Sequence, residues 1–194
     1  MAILPKEQLR ASMLHYVELT GARFLKKIGL TPNGVTLIGF MVSLLAAYLI
    51  GCGWLLAAGL VVLLGGGMDL MDGSLARLTG RTSLFGALLD STCDRLGEAV
   101  LFVGLGFYFV RLNNGRYGMD SDGYLLLGIS TLLLAFTFSQ GVSYLRARGE
   151  GLGVFIRNGL MTRPERVVLL GIGLMIDQIT WALLVIAIVS CFTF

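Results

Sequence analysis

Hydrophobic positions arrive along this chain in long runs separated by short polar turns. The runs fall at about 34–51, 54–76, 84–111, 123–145, 164–176 and 180–194. Each approaches the roughly 20 residues that a helix needs to cross a bilayer, the fifth only marginally. Turn signals divide them: Thr31-Pro32-Asn33-Gly34 before the first, Gly51-Cys52-Gly53 after it, and Asp177-Gln178 between the last two. Ahead of them, residues 4–28 mix apolar and charged positions at helical spacing. Leu4, Met13, Val17, Phe24 and Ile28 share one broad face, and Lys6, Arg10, Arg23 and Lys26 lie largely outside it. That pattern predicts a helix lying in the membrane interface, its basic residues near anionic headgroups. The fold expected is therefore all-α and polytopic. An interfacial amphipathic helix over 1–30 precedes a domain of six transmembrane helices over 31–194.

Composition agrees. The 194 residues are 56% hydrophobic and 14% charged, with mean hydropathy +0.82. A soluble domain carries about a quarter charged residues, so bilayer is the expected solvent. A net charge of +3 matters less than its placement. Basic residues cluster before the first run (Lys6, Arg10, Arg23, Lys26, Lys27), after the second (Arg77, Arg81) and after the fourth (Arg146, Arg148, Arg157, Arg163, Arg166). The opposite side has Arg111 and Arg116, balanced by Asp120 and Asp122. The positive-inside rule then puts both termini in the cytoplasm, in the cell (inner) membrane. No nucleic-acid partner is expected. Lys6, Glu7, Arg10 and Glu18 interrupt any signal-peptide core. Cys52, Cys93 and Cys191 show no pairing pattern and are expected as buried free thiols. The lone His15 reads as an interfacial polar residue, with no second histidine to support a metal site.

The chemistry lies between Asp69 and Asp94. Asp69, Asp72, Gly73, Ala76 and Arg77 follow the spacing of one helix face, and Gly86, Asp90 and Asp94 that of another. A tight connection makes the two helices antiparallel neighbours. Gly73, Ala76 and Gly86 let them approach closely. Four ionised carboxylates near a membrane boundary repel one another, and divalent cations resolve the cost. Hard oxygen ligands suit Mg²⁺ or Mn²⁺, and two such ions would clamp a diphosphate.

The run DxxDGxxAR, then eight residues, then GxxxDxxxD resembles the signature of the CDP-alcohol phosphotransferases at every position. The resemblance implies a membrane enzyme that moves a phosphatidyl-type group from a CDP-lipid to an alcohol. It implies Asp69, Asp72 and Asp90 around a first metal ion, and Asp69, Asp90 and Asp94 around a second. Asp94 is further implied as the general base. Gly73, Arg77, Ser83 and the Thr31-Pro32-Asn33-Gly34 turn are implied as contacts of the CDP-lipid, together with Asp69, and a homodimer is implied as the assembly. Physically, Arg77 offers phosphate a planar donor fork, and the turn offers backbone groups at a helix start.

The acceptor is read from SYLRARGE (Ser143–Glu150) and TRPERVV (Thr162–Val168). Arg146 and Arg166, supported by Arg148 and Arg163, can form a basic pocket for a phosphorylated alcohol. On charge alone, a loop obeying the positive-inside rule explains them better. Both segments resemble the phosphatidylinositol phosphate and archaetidylinositol phosphate synthases within the family. That implies inositol 1-phosphate as acceptor, a small phosphorylated polyol. The subgroup usually carries another pocket arginine after the last span. This sequence runs to Phe194 without one, as a shortened chain or a variant would. Glycerol 3-phosphate remains open as an alternative acceptor, and a cation transporter as an alternative of another class. Glu98 can pair with Arg95 one turn back, or simply neutralise charge inside the bundle. Met68, Met71 and Gly65-Gly66-Gly67 read as packing devices. In this reading Asp94→Asn nearly abolishes turnover while CDP-lipid binding weakens much less. Steady-state kinetics beside a binding titration check it, and unchanged turnover removes Asp94 from the base role.

Overall fold

The computed structural model describes residues 19–113, 121–154 and 161–193. Among them every regular element is a helix: α1 (19–27), α2 (Pro32–Cys52), α3 (Leu55–Thr79), α4 (Leu84–Asn113), α5 (Ser121–Gly151), α6 (Arg163–Met175) and α7 (Ile179–Thr193). The expected interfacial positions up to residue 18, His15 included, lie outside the described residues, as do Arg116, Asp120 and Arg157. Within α1, Ala22 and Leu25 pack against Val35 of α2 and Leu75 of α3, while Phe24, and Ile28 just past the helix, stay exposed.

The turns form where the sequence signals them. Thr31 caps α2, its Oγ1 accepting from Gly34 N at 3.2 Å, and Pro32 begins the helix with its φ already set. Gly53 ends α2 at φ 81° and Gly80 ends α3 at φ 65°, left-handed positions that cost glycine least. α2 and α3 are thus joined by two residues, and α3 and α4 by four (80–83). Asp177 takes the same left-handed geometry, φ 56°, between α6 and α7 without being glycine. Tyr108 Oη donates to its Oδ1 at 3.3 Å.

Three helical segments are long and apolar enough to cross a bilayer: Pro32–Cys52, Leu55–Thr79 and Gly123–Gly151. Large apolar side chains face outward all round, among them Phe107, Leu126, Leu133 and Trp181, as expected where lipid replaces water. α6 and α7 have 13 and 15 residues, about 20 Å each at 1.5 Å per residue. The thiols depart from expectation: Cys52 and Cys93 are half-buried and Cys191 is exposed on α7, none in a disulfide. An apolar side chain facing lipid needs no burial in protein.

Apolar surface gives helices little reason to associate within lipid, so close approach must do it. A Cβ on Gly104 of α4 would lie 2.5 Å from the Ala47 carbonyl oxygen of α2, and one on Gly59 of α3 would lie 2.7 Å from that of Gly171 in α6. Gly65 and Gly66 seat Val42 and Val167, but Gly67 faces open space. Gly104→Ala is expected to destabilise the bundle by about 1–3 kcal/mol, because the obstacle is backbone. Gly39→Ala, with nothing within 4 Å, is expected to be neutral or mildly stabilising. Thermal melting in detergent compares the two.

Candidate active site

The α3–α4 turn brings the predicted carboxylates together. Oxygen atoms of Asp69, Asp72 and Asp90 lie within 4.8 Å of one another. Asp72 is buried, 6% exposed. Its Oδ2 accepts from Thr36 Oγ1 of α2 at 3.0 Å and its Oδ1 from Gly73 N at 2.5 Å. Three hard oxygens from separate side chains on two helices fit a divalent ion such as Mg²⁺ or Mn²⁺.

Asp94 is held differently. Arg163, the first residue of α6, places Nη1 2.5 Å from Asp69 Oδ2 and 2.6 Å from Asp94 Oδ1. Its Nε is buried with no partner among the described residues, so the guanidinium keeps an unused donor. One turn deeper, Arg166 donates from Nε to Glu98 Oε1 at 2.8 Å and from Nη2 to Glu98 Oε2 at 3.2 Å. Both side chains are nearly inaccessible, 3% and 5% exposed. Glu98 thus pairs across the bundle with α6 rather than with Arg95, the local partner its spacing suggested. α6 is started by Thr162, whose N donates to Glu165 Oε2 at 2.6 Å, with Pro164 in its first turn.

Two cavities of about 220 Å³ each flank the acids. The first is lined by Pro32, Asn33, Gly73, Arg77 and Ser83, with Thr36, Asp72 and Asp90. Arg77 is steadied there by Ser74, Nη2 to Oγ 2.8 Å. Ser83 Oγ accepts from Gly86 N at 3.0 Å and so also caps α4. Thr31 and Gly34 shape the start of α2 rather than line this cavity. The second cavity is lined by Asp90, Asp94, Glu98, Ser143, Arg146, Arg163 and Arg166. Arg148, two residues past Arg146 and so on another face of α5, is exposed in a separate groove with Arg95 and Tyr144.

Sequence reasoning missed Thr36, Arg81 and Thr82, which line the first cavity, and Ser143 as a partner of Arg166. The Asp90, Asp94, Glu98 register, four residues apart, was the one available signal that Glu98 shares the acidic face.

A helical bundle with apolar outer faces, and with carboxylates clustered between two cavities where they could hold a divalent ion, is an architecture suited to a membrane-embedded enzyme. The chain belongs to the CDP-alcohol phosphatidyltransferase family, whose profile matches residues 29–193. It is 35% identical over 172 residues to a phosphatidylinositol phosphate synthase of Corynebacterium glutamicum, covering 84% of this chain and 74% of that one. It is 34% identical over 172 residues to the archaetidylinositol phosphate synthase of Pyrococcus horikoshii, covering 88% and 82%. Its fold matches Mycobacterium tuberculosis phosphatidylinositol phosphate synthase with CDP-DAG bound at TM-score 0.74 and 31% identity, over 91% of this chain and 88% of that one. The same enzyme in complex with manganese and citrate matches at TM-score 0.75 and 31% identity, over 91% and 84%. The chain is therefore an integral membrane transferase of phospholipid synthesis.

The Thr36–Asp72 bond orients a carboxylate in the acidic cluster, and partners of that kind typically tune metal affinity 10–100-fold. Thr36→Val is expected to weaken Mn²⁺ binding about 10-fold, measured by calorimetry and by the Mn²⁺ dependence of CMP release. Unchanged affinity would leave the bond a packing contact only.

Proposed function

We propose that this chain transfers a phosphatidyl-type group from CDP-diacylglycerol or CDP-archaeol to inositol 1-phosphate, releasing CMP. The observation that carries the reading is a shared wall. Asp90 lines both cavities, with Arg77 in one and Arg146 and Arg166 in the other. A donor and an acceptor seated in them would meet at the carboxylates.

In this reading the first cavity takes the CDP moiety. Arg77 meets its phosphates, and Pro32, Asn33, Gly73 and Ser83 bound the nucleotide, the first two held in place by the Thr31 cap. Asp69, Asp72 and Asp90 would hold a Mg²⁺ or Mn²⁺ ion, which would supply charge neutralisation for the diphosphate and the departing CMP. A second ion on Asp69, Asp90 and Asp94 would require Arg163 to turn away from both Asp69 and Asp94. Arg146 and Arg166 hold the acceptor's phosphate. Asp94 takes the proton of the acceptor hydroxyl. That oxygen attacks the lipid-side phosphorus, the phosphoanhydride bond breaks, and CMP leaves with the bonding pair. The product lipid stays in the bilayer.

The membrane arrangement follows the same reading. α2 to α7 make six crossings, α1 lies in the interface, and the site faces the cytoplasm. Local thinning of the bilayer accommodates short α6 and α7. The exposed Arg148 meets headgroups, and the assembly is a homodimer. Membership of a transferase family speaks against ion transport.

Purified protein with CDP-diacylglycerol is expected to release CMP only with Mg²⁺ or Mn²⁺ and inositol 1-phosphate, and to stop with chelator. Arg146→Gln is expected to raise the acceptor KM about 10-fold or more, as loss of a charge-assisted contact does. Release with glycerol 3-phosphate or serine but not inositol 1-phosphate sinks the acceptor assignment and leaves the family untouched.

A further inference from the structure

Glu98 has no part in the reaction just drawn, yet it is among the most deeply placed charges in the bundle, 5% exposed. It stands one turn beyond Asp94 on the face of α4 that carries the acids. An unpaired carboxylate there would be costly. It grips Arg166 through Nε and Nη2, at 2.8 and 3.2 Å. Ser143 Oγ of α5 accepts from the same Nη2 at 3.0 Å. A guanidinium has five N–H donors, and these contacts use Nε and both hydrogens of Nη2. Nη1 remains. It has no partner among the described residues, and it is not one of the buried atoms left unsatisfied. Since Arg166 lines the cavity that holds Arg146, the Nη1 edge is the part it offers there.

The geometry points to Glu98 as a positioning residue that locks Arg166 so that its Nη1 edge alone meets the acceptor's phosphate. This rests on the acceptor reading given under Proposed function. A guanidinium already neutralised by a carboxylate attracts an anion weakly at a distance and acts mainly through direction. Arg146, which shows no ion pair among the described residues, supplies the net attraction. Arg166 then sets how far the phosphate stands from Asp94, and so which hydroxyl reaches the base. Ser143 completes the lock from α5, tying three helices to one side chain.

The rival account is a brace between α4 and α6 with no influence on the acceptor. Initial rates of CMP release separate the two, using full-length protein in detergent with Mn²⁺, CDP-diacylglycerol and varied inositol 1-phosphate. Glu98→Gln is expected to raise the inositol 1-phosphate KM about 10-fold or more, while the CDP-lipid KM stays within about 2-fold. Ser143→Ala is expected to raise the same KM about 3-fold, as loss of one hydrogen bond does. The double variant Glu98→Gln/Arg166→Lys is expected to be little worse than its stronger single, since the two act as a unit. A brace lowers the melting temperature and moves both KM values together. An acceptor KM that Glu98→Gln leaves unchanged overturns the proposal. If Glu98→Gln does not fold, an unchanged acceptor KM in Ser143→Ala overturns it instead. Wild-type protein that ignores phosphorylated alcohols and releases CMP with free inositol or serine overturns the acceptor reading and this inference together. Turnover of inositol 1-phosphate with unmoved KM values overturns this inference alone.

Discussion

Repulsion among carboxylates in a poorly solvated place is the constraint around which this bundle is arranged. Asp69, Asp72, Asp90 and Asp94 converge from two helices, and Glu98 follows one turn on. Each negative charge needs a cation within reach. α6 supplies two, Arg163 to Asp69 and Asp94, and Arg166 to Glu98. These rungs are not a source of stability, because desolvating the charges offsets most of the attraction. They impose a register. Sliding α6 by a residue would turn both guanidiniums away, leaving buried charge on either side. The start of α6 is fixed accordingly, by Thr162, Pro164 and Glu165.

Close backbone contact supports that register from behind. Gly59 against Gly171 holds α3 to α6, and Gly104 against Ala47 holds α4 to α2. In lipid such contacts are where dispersion and short polar bonds act, since apolar area alone gives no preference for protein over solvent. The acids therefore sit on helices with little room to separate, and charges that would drift apart in water stay within a few ångströms.

Much of this was legible beforehand. The aspartate spacing put two carboxylates on each of two faces, and the turn signals at Gly53 and Asp177 fell where helices stop. What escaped was pairing at long range. Glu98 and Arg166 are 68 residues apart, and Asp69 and Arg163 are 94 apart. Helical periodicity speaks only to neighbours, so Glu98 invited a local partner and Arg163 a place beside Arg146. Thr36 was silent because a helical threonine commonly bonds the carbonyl four residues back, as it also does here to Pro32 at 3.2 Å. Its second acceptor, Asp72, depends on how α2 packs on α3. Arg148 was grouped with Arg146 by proximity in sequence, and the turn of α5 separates them.

The walls of the two cavities come from different stretches of chain. α2, α3 and the start of α4 enclose one, and α4, α5 and the start of α6 enclose the other, so only α4 belongs to both. Substitutions on α5 and α6 can therefore remodel one cavity while the other keeps its shape. Arg163 is the exception, being seated in the second cavity yet bonded to an α3 acid. A fold partitioned this way lends itself to diversification: one half can be inherited intact while the opposite half is retuned.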